Sequence, residues 1–353
     1  MNKHSRIIAM IGAVFGALFL FTFPGGAFAT NYIFTSIPDP FNGTLSGNGT
    51  PLVDGNTYVR GINGNGQIVG FADANNGAHG GFEGFIESPY SSPGNFTGIN
   101  APGCCSGGNS DTQLSGINNK GQIVGSASGG NGMAPSSPFL YSGGNYTFII
   151  GGNSTANGIN DHGQIVGRAG GPGVPFGGYL YTNGTFTHIS DPLAAPRSTI
   201  PMGINGNGQI VGVYYGSSGT AHGFYDTNTS HPTFTQINDP LATLGTDPRG
   251  INNRGQIVGY YQNASGIHGF IDNNGVFSTI NDPLFSSAGT QIYGINNSGQ
   301  IVGDVGHGSG FIASPSTLES TPEPSAMLLF GTGIFLTGVL ALRNPGLSSR
   351  GFL

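Results

Sequence analysis

Asp39, Asp191, Asp239 and Asp282 each precede a proline, and His79, His222, His268 and His307 each stand at or near the start of an apolar string further along. Both sets fall in the same four of six repeated units. A histidine beside a carboxylate can hold a metal, move a proton or make a charge-assisted hydrogen bond. Four equivalent copies spread through a repeat cannot converge on one atom. The expectation is therefore structural: each histidine bonds the aspartate of its own unit and ties a loop to a strand. The competing reading is that Asp-Pro only forms a turn and the histidine only ends a strand. Cys104 and Cys105 are adjacent; zinc would need more ligands than these two. There is no nucleophile elbow and no zinc-protease string.

The elements that would position these residues come from the repeat. Gly-Ile-Asn, two variable residues, then Gly-Gln-Ile-Val-Gly occurs from Gly61, Gly116, Gly158, Gly203, Gly250 and Gly294. The starts are 55, 42, 45, 47 and 44 residues apart, the length of a four-stranded propeller blade. Gly-Ile-Asn reads as a first strand and the following glycine as a left-handed turn residue. Gln-Ile-Val-Gly reads as a second strand buried on both faces. A third strand follows (Gly80 to Ile86 in the first unit), then a fourth (Asn95 to Ile99). The fourth type is absent after the sixth unit, yet Tyr32 to Ile37 supplies one ahead of the first. This mismatch predicts an all-β, six-bladed β-propeller closed by its N-terminal strand, which removes an exposed sheet edge. A β-solenoid is the alternative, but it would not require the missing strand to reappear at the other end.

The chain has 66 glycines and 22 prolines, but only 7% charged residues. Periodic glycine together with 24 Phe and 13 Tyr speaks for turns and a core rather than disorder. Residues 1–29 read as a signal peptide helix: Lys3 and Arg6, an apolar run from Ile7 to Phe23, then Ala27-Phe28-Ala29, with cleavage before Thr30. Ser325 to Leu342 is 18 residues without charge, long enough to span a bilayer. Arg343 and Arg350 place the C-terminus inside. The expected organisation is a signal peptide over 1–29, a propeller over 30–314, a linker over 315–324, a transmembrane helix over 325–342 and a cytoplasmic tail over 343–353. Residues 30–324 carry six Lys and Arg against sixteen Asp and Glu, a net of −10. That balance argues against nucleic acid as a partner.

The unit Gly-Ile-Asn-Asn-Ser-Gly-Gln-Ile-Val-Gly with a downstream Gly-Phe-Ile resembles the extracellular HAF repeat family, although it reads His-Gly-Phe at His222 and His268 rather than His-Ala-Phe. The resemblance implies an extracellular propeller-like domain without assigned chemistry. The tail resembles a PEP-CTERM sorting signal, with its motif on Pro322, Glu323 and Pro324, a span, then Arg343. That resemblance implies recognition by an exosortase-type membrane protease in Gram-negative bacteria that make exopolysaccharide. An ordinary C-terminal anchor would share the span but not the motif.

A ligand in a propeller binds at one mouth of the ring. If the Gly-Ile-Asn strand is innermost, the residues just before it face that mouth: Arg60, Ser115, Asn157, Met202, Arg249 and Tyr293. None is acidic, which speaks against a calcium site built from several oxygens. The expected function is a non-catalytic, exported surface or matrix protein that binds carbohydrate or protein at the mouth, needs no cofactor and is anchored in the envelope. The alternative is a metal-dependent hydrolase in the channel. Three or more converging carboxylates or amides would favour the enzyme, and a mouth of small and aromatic residues would favour binding.

Overall fold

The computed structural model describes residues 31–40, 56–74, 81–87, 95–102, 110–129, 136–170, 177–227, 233–285, 288–306 and 308–316. They form 24 strands, with no helix among the described residues. After β1 (Tyr32–Ser36), the first blade is β2 (Thr57–Ile62), β3 (Ile68–Ala74), β4 (Gly81–Glu87) and β5 (Phe96–Ile99). The second is β6 (Ser110–Ile117), β7 (Ile123–Gly129), β8 (Ser137–Ser142) and β9 (Asn145–Phe148). The third is β10 (Thr155–Ile159), β11 (Ile165–Ala169), β12 (Gly177–Thr182) and β13 (Thr185–Ile189). The fourth is β14 (Thr199–Ile204), β15 (Ile210–Tyr215), β16 (Ala221–Asp226) and β17 (Phe234–Ile237). The fifth is β18 (Gly245–Ile251), β19 (Gln256–Asn263), β20 (Gly266–Asn273) and β21 (Val276–Ile280), joined to the fourth by a single parallel bridge between Ala221 of β16 and Gly245 of β18. The sixth chain segment holds β22 (Thr290–Ile295), β23 (Ile301–Val305) and β24 (Ser309–Pro315).

The sixth sheet runs β1-β24-β23-β22, and β1 lies antiparallel to β24 from Tyr32 opposite Pro315 to Ser36 opposite Phe311. The N-terminal strand thus completes the last blade, as the uneven strand count predicts. Side chains confirm the equivalence. In each blade a fully buried aromatic on the third strand meets an aromatic on the fourth: Phe85 with Phe96 at 5.5 Å and Phe270 with Phe277 at 5.5 Å. Phe34 of β1 takes that place against Phe311 at 5.0 Å. Neighbouring blades bury Ile and Val between them, for example Ile37, Ile62, Ile68 and Phe85 with Val302 and Ile312 across the closing seam.

The repeat motif explains itself through one hydrogen-bond pattern. Asn63 Oδ1 accepts from the amides of Asn65 and Gln67, both at 3.0 Å, and so closes the turn. Gly66 sits at φ 76°, where glycine is unstrained. Asn63 Nδ2 donates to Gln67 Oε1 at 2.8 Å and to the carbonyl of Asn118 in the next blade at 3.1 Å. The same donation runs Asn118 to Asn160, Asn160 to Asn205, Asn205 to Asn252, Asn252 to Asn296 and Asn296 back to Asn63, at 2.9 to 3.2 Å. Six buried asparagines therefore form a closed belt, which a solenoid cannot make. Beside them the glycines of Gly-Ile-Asn approach so closely that a Cβ on Gly61 would lie 3.1 Å from the Cα of Gly116.

Candidate functional site

The Gly-Ile-Asn strands are innermost and touch one another around the ring. In all six, pairing with the second strand slips by one residue just before the glycine: between Val59 and Gly61, Leu114 and Gly116, Ala156 and Gly158, Pro201 and Gly203, Pro248 and Gly250, and Ile292 and Gly294. A β-bulge leaves one residue unpaired and re-aims its side chain. The unpaired residues are Arg60, Ser115, Asn157, Met202, Arg249 and Tyr293. All six line one cavity of 260 Å³, together with Phe71 and Gln113. The final glycine of each motif accommodates the bulge. A Cβ on Gly259 would come within 2.1 Å of the Asp247 carbonyl, and one on Gly303 within 2.0 Å of that of Gln291.

Strand direction sets the site's two ends. The loops that enter each first strand and those that join second to third strands share one face, as the sequence implies. The other face carries the Asn-x-x-Gly turns. There the asparagine belt and glycine collar narrow the channel to a shallow 70 Å³ depression. The cavity is thus a cup whose base repeats the same asparagine bond in all six blades. Its wall differs from blade to blade.

Both ion pairs among the described residues stand in this wall. Arg60 Nη1 donates to Asp304 Oδ2 at 2.5 Å, from the first blade to the sixth. Its guanidinium lies 3.8 Å from the centre of the Tyr293 ring and 5.2 Å from that of Phe71. Arg249 Nη2 donates to Asp247 Oδ2 and Tyr260 Oη, both at 2.7 Å. The phenol of Tyr260 donates in turn to Asp247 Oδ2 at 2.9 Å. Asp247 Oδ1 and Arg249 Nε are buried with no hydrogen-bond partner among the described residues. Such groups cost free energy unless something bonds them. Burial pushes the Asp304 carboxyl above the ordinary carboxylate range, and Arg60 and Arg249 pull only some of that back. Burial opposes the Arg249 charge, but Asp247, Tyr260 and Tyr293 hold it above its ordinary value. Burial raises the Tyr293 phenol too. The cup therefore offers fixed, paired charges and aromatic faces on blades 5, 6 and 1. It offers small or neutral side chains on blades 2 to 4: Gln113, Ser115, Asn157 and Met202.

The six positions before Gly-Ile-Asn were legible as mouth residues. Asp247, Asp304 and Tyr260 were not. Asp304, Tyr260 and Phe71 each follow the Gln-Ile-Val-Gly string directly, and that shared position is the signal that would have found them. No three His, Cys, Asp or Glu side chains gather into a metal-binding group among the described residues. The two carboxylates of the cup are each engaged by an arginine.

The expected Asp–His bonds are corrected where both partners are described. Gln236 Nε2 donates to His222 Nδ1 at 3.1 Å, and Asn281 Nδ2 donates to His268 Nδ1 at 3.1 Å. Ser265 Oγ meets His268 Nε2 at 2.8 Å. Each ring stacks on a tyrosine, His222 on Tyr214 and His268 on Tyr261. The aspartates turn inward on their own loops: Oδ1 of Asp191, Asp239 and Asp282 accepts from the amides of Leu193, Leu241 and Leu284 at 2.8 to 2.9 Å. Their own amides donate to Thr199, Thr246 and Thr290. The local turn wins because its acceptor and donor are two residues apart, with almost no chain to order. Asp39 lies just beyond β1. His79, His307, Cys104, Cys105, the cleavage residues Ala27, Ala29 and Thr30, the motif Pro322-Glu323-Pro324, Arg343 and the span 325–342 lie outside the described residues.

No protein-family model matches the chain. No curated protein matches it either. Among solved structures it is similar to the lectin of the fungus Aleuria aurantia, a six-bladed β-propeller, at 12% identity and TM-score 0.43 over 76% of this chain and 98% of the lectin. A second structure of that fucose-specific lectin gives 13% identity and TM-score 0.42 over 75% and 99%. YCF48 from Cyanidioschyzon merolae gives 10% and 0.42 over 81% and 99%. These likenesses are distant, and the six-bladed assignment rests on this chain's own topology.

Proposed function

We propose that this protein is a non-catalytic, exported binding protein of the cell surface or extracellular matrix, and that its propeller holds a carbohydrate in the cup. One observation carries the reading. Six bulges, one per blade, aim side chains of five types into a single cavity whose base is closed by a belt of six identical asparagines. Aromatic faces beside Arg–Asp pairs suit a ligand with apolar ring faces and many hydroxyls. The paired charges are pre-aligned donors and acceptors that need no rearrangement to bind. Export and anchoring are supported by the sequence at 1–29 and 322–343, through its resemblance to a sorting signal read by an exosortase-type protease. The matrix polysaccharide or another surface protein is then the partner at hand.

The test is a glycan array that includes exopolysaccharide fragments, probed with the parent protein and with Tyr293→Ala. Tyr293 touches both arginines and belongs to no inter-blade core. Retention of a defined glycan by the parent, lost in Tyr293→Ala at unchanged melting temperature, is the expected result. An array with no retained glycan refutes the proposal, as does retention that survives the substitution.

A further inference from the structure

A second cavity, of 470 Å³, opens between the fourth and fifth blades, away from the cup. Small-molecule sites typically occupy ~300–1,000 Å³. Its apolar floor is Tyr225, Ile237, Ile257 and Phe277, and Arg254 and Asp272 are among its polar lining. The repeat shows what is special here. On each third strand, one residue pairs with the valine of Gln-Ile-Val-Gly and packs toward the next blade. That residue is Ile86, Leu140, Leu180, Ile271 and Ile312 in five blades. In the fourth it is Tyr225, opposite Val211.

Tyr225 is held rather than loose. Gln209 Nε2 donates to its phenol oxygen at 2.5 Å. That bond uses the oxygen as acceptor and leaves its proton free to donate. Asp272 is buried, and its Oδ1 accepts from the Gly275 amide at 2.6 Å. Arg254 is exposed on the Asn-x-x-Gly turn and forms no ion pair among the described residues. The groove thus combines two aromatic side chains, a fixed carboxylate, an exposed guanidinium and a phenol with an unused proton.

We infer that the groove between blades 4 and 5 is a binding site for a neutral mono- or disaccharide, stacked on Tyr225 and bonded through its hydroxyls to Asp272 and Arg254. Aromatic side chains contribute area at little entropic cost, and charged partners make the stronger hydrogen bonds. The inference shares its ligand class with the proposed function but none of its residues.

Saturation-transfer NMR on the purified protein, with cellobiose, lactose and maltose as probes, tests it. At least one probe should receive saturation, and Tyr225→Leu should weaken its binding at least tenfold. Leucine already occupies this position in blades 2 and 3, so the fold tolerates it there. Arg254→Ala, at an exposed turn, is a second variant with the same expected loss. Tyr293→Ala, which alters only the cup, should leave the signal intact, so failure of one site is distinguishable from failure of the other. No transfer from any of the three probes overturns the inference. Transfer that survives both Tyr225→Leu and Arg254→Ala does so too.

Discussion

Replacing Asn252 by alanine tests whether the asparagine belt holds the ring together. The side chain is 3% exposed and makes four hydrogen bonds. Two accept from the Arg254 and Gln256 amides at 3.0 Å, and two donate to Gln256 Oε1 at 2.9 Å and to the Asn296 carbonyl at 3.1 Å. Alanine removes all four at once. A buried group left without its partner costs about 1–3 kcal/mol, and turn amides near the surface regain water, so a total of about 3–5 kcal/mol is expected. At ~2–4 °C per kcal/mol for a domain of this size, the melting temperature should fall by roughly 10 °C. The belt is closed, so Asn118→Ala and Asn296→Ala should cost about the same, although Asn296 spans the seam between the last blade and the first. Calorimetry or circular dichroism reads all three. A fall of less than ~2 °C for Asn252→Ala, on that same scale, would refute the reasoning. A much smaller effect at Asn296 would show that the seam bears no load.

Two further outcomes follow from the same contacts. Removing residues 32–37 takes away Phe34 and the partner of β24, and should leave an unpaired edge that aggregates or melts far below the parent; an unchanged melting temperature would exclude closure by this strand. Burial raises the Asp239 carboxyl above its ordinary 3.8, although the Leu241 amide and His268 pull it back. A raised folded pKa means that the folded state holds more protons, so this group's effect on stability becomes less favourable as pH rises from 3.8 through the folded value. Asn at this position keeps the oxygen that accepts from Leu241, so Asp239→Asn should melt at or above the parent at neutral pH, with the gap closing below the ordinary carboxylate range. Thermal melts across that pH span check the sign, and a variant clearly less stable at neutral pH would contradict it.

The ring was legible because strands can be counted. A fourth strand missing after Ile312 and present at Tyr32 leaves little choice. The turn chemistry was partly legible, since Gly66 and its equivalents announce a left-handed residue. What the asparagine of Gly-Ile-Asn does was not, because its second partner lies one blade away. The cup was half legible. Their place just before Gly-Ile-Asn points to Arg60 and Tyr293, but Asp304 meets Arg60 from 244 residues away. Only closure of the ring brings them together. In the two units where both residues are described, the Asp–His expectation went wrong for the opposite reason. Two residues recurring together in the same units need not touch when a nearer amide, such as that of Leu241, already orients the carboxylate.

β1 and β24 are neighbours in the sixth sheet, and both described ends of the chain leave from the turn face, where Ser316 donates to the Asn31 carbonyl. Mechanical load applied to the two flanks would act on adjacent antiparallel strands from the same edge. Their hydrogen bonds would then break in succession, like a zip, rather than all together. Pulled at both flanks, the molecule would therefore open at a low force and in one defined place. Tethered by one flank alone, it would pass the load into β24 and its paired neighbours, with the cup facing away from the tether and toward whatever pulls on its contents.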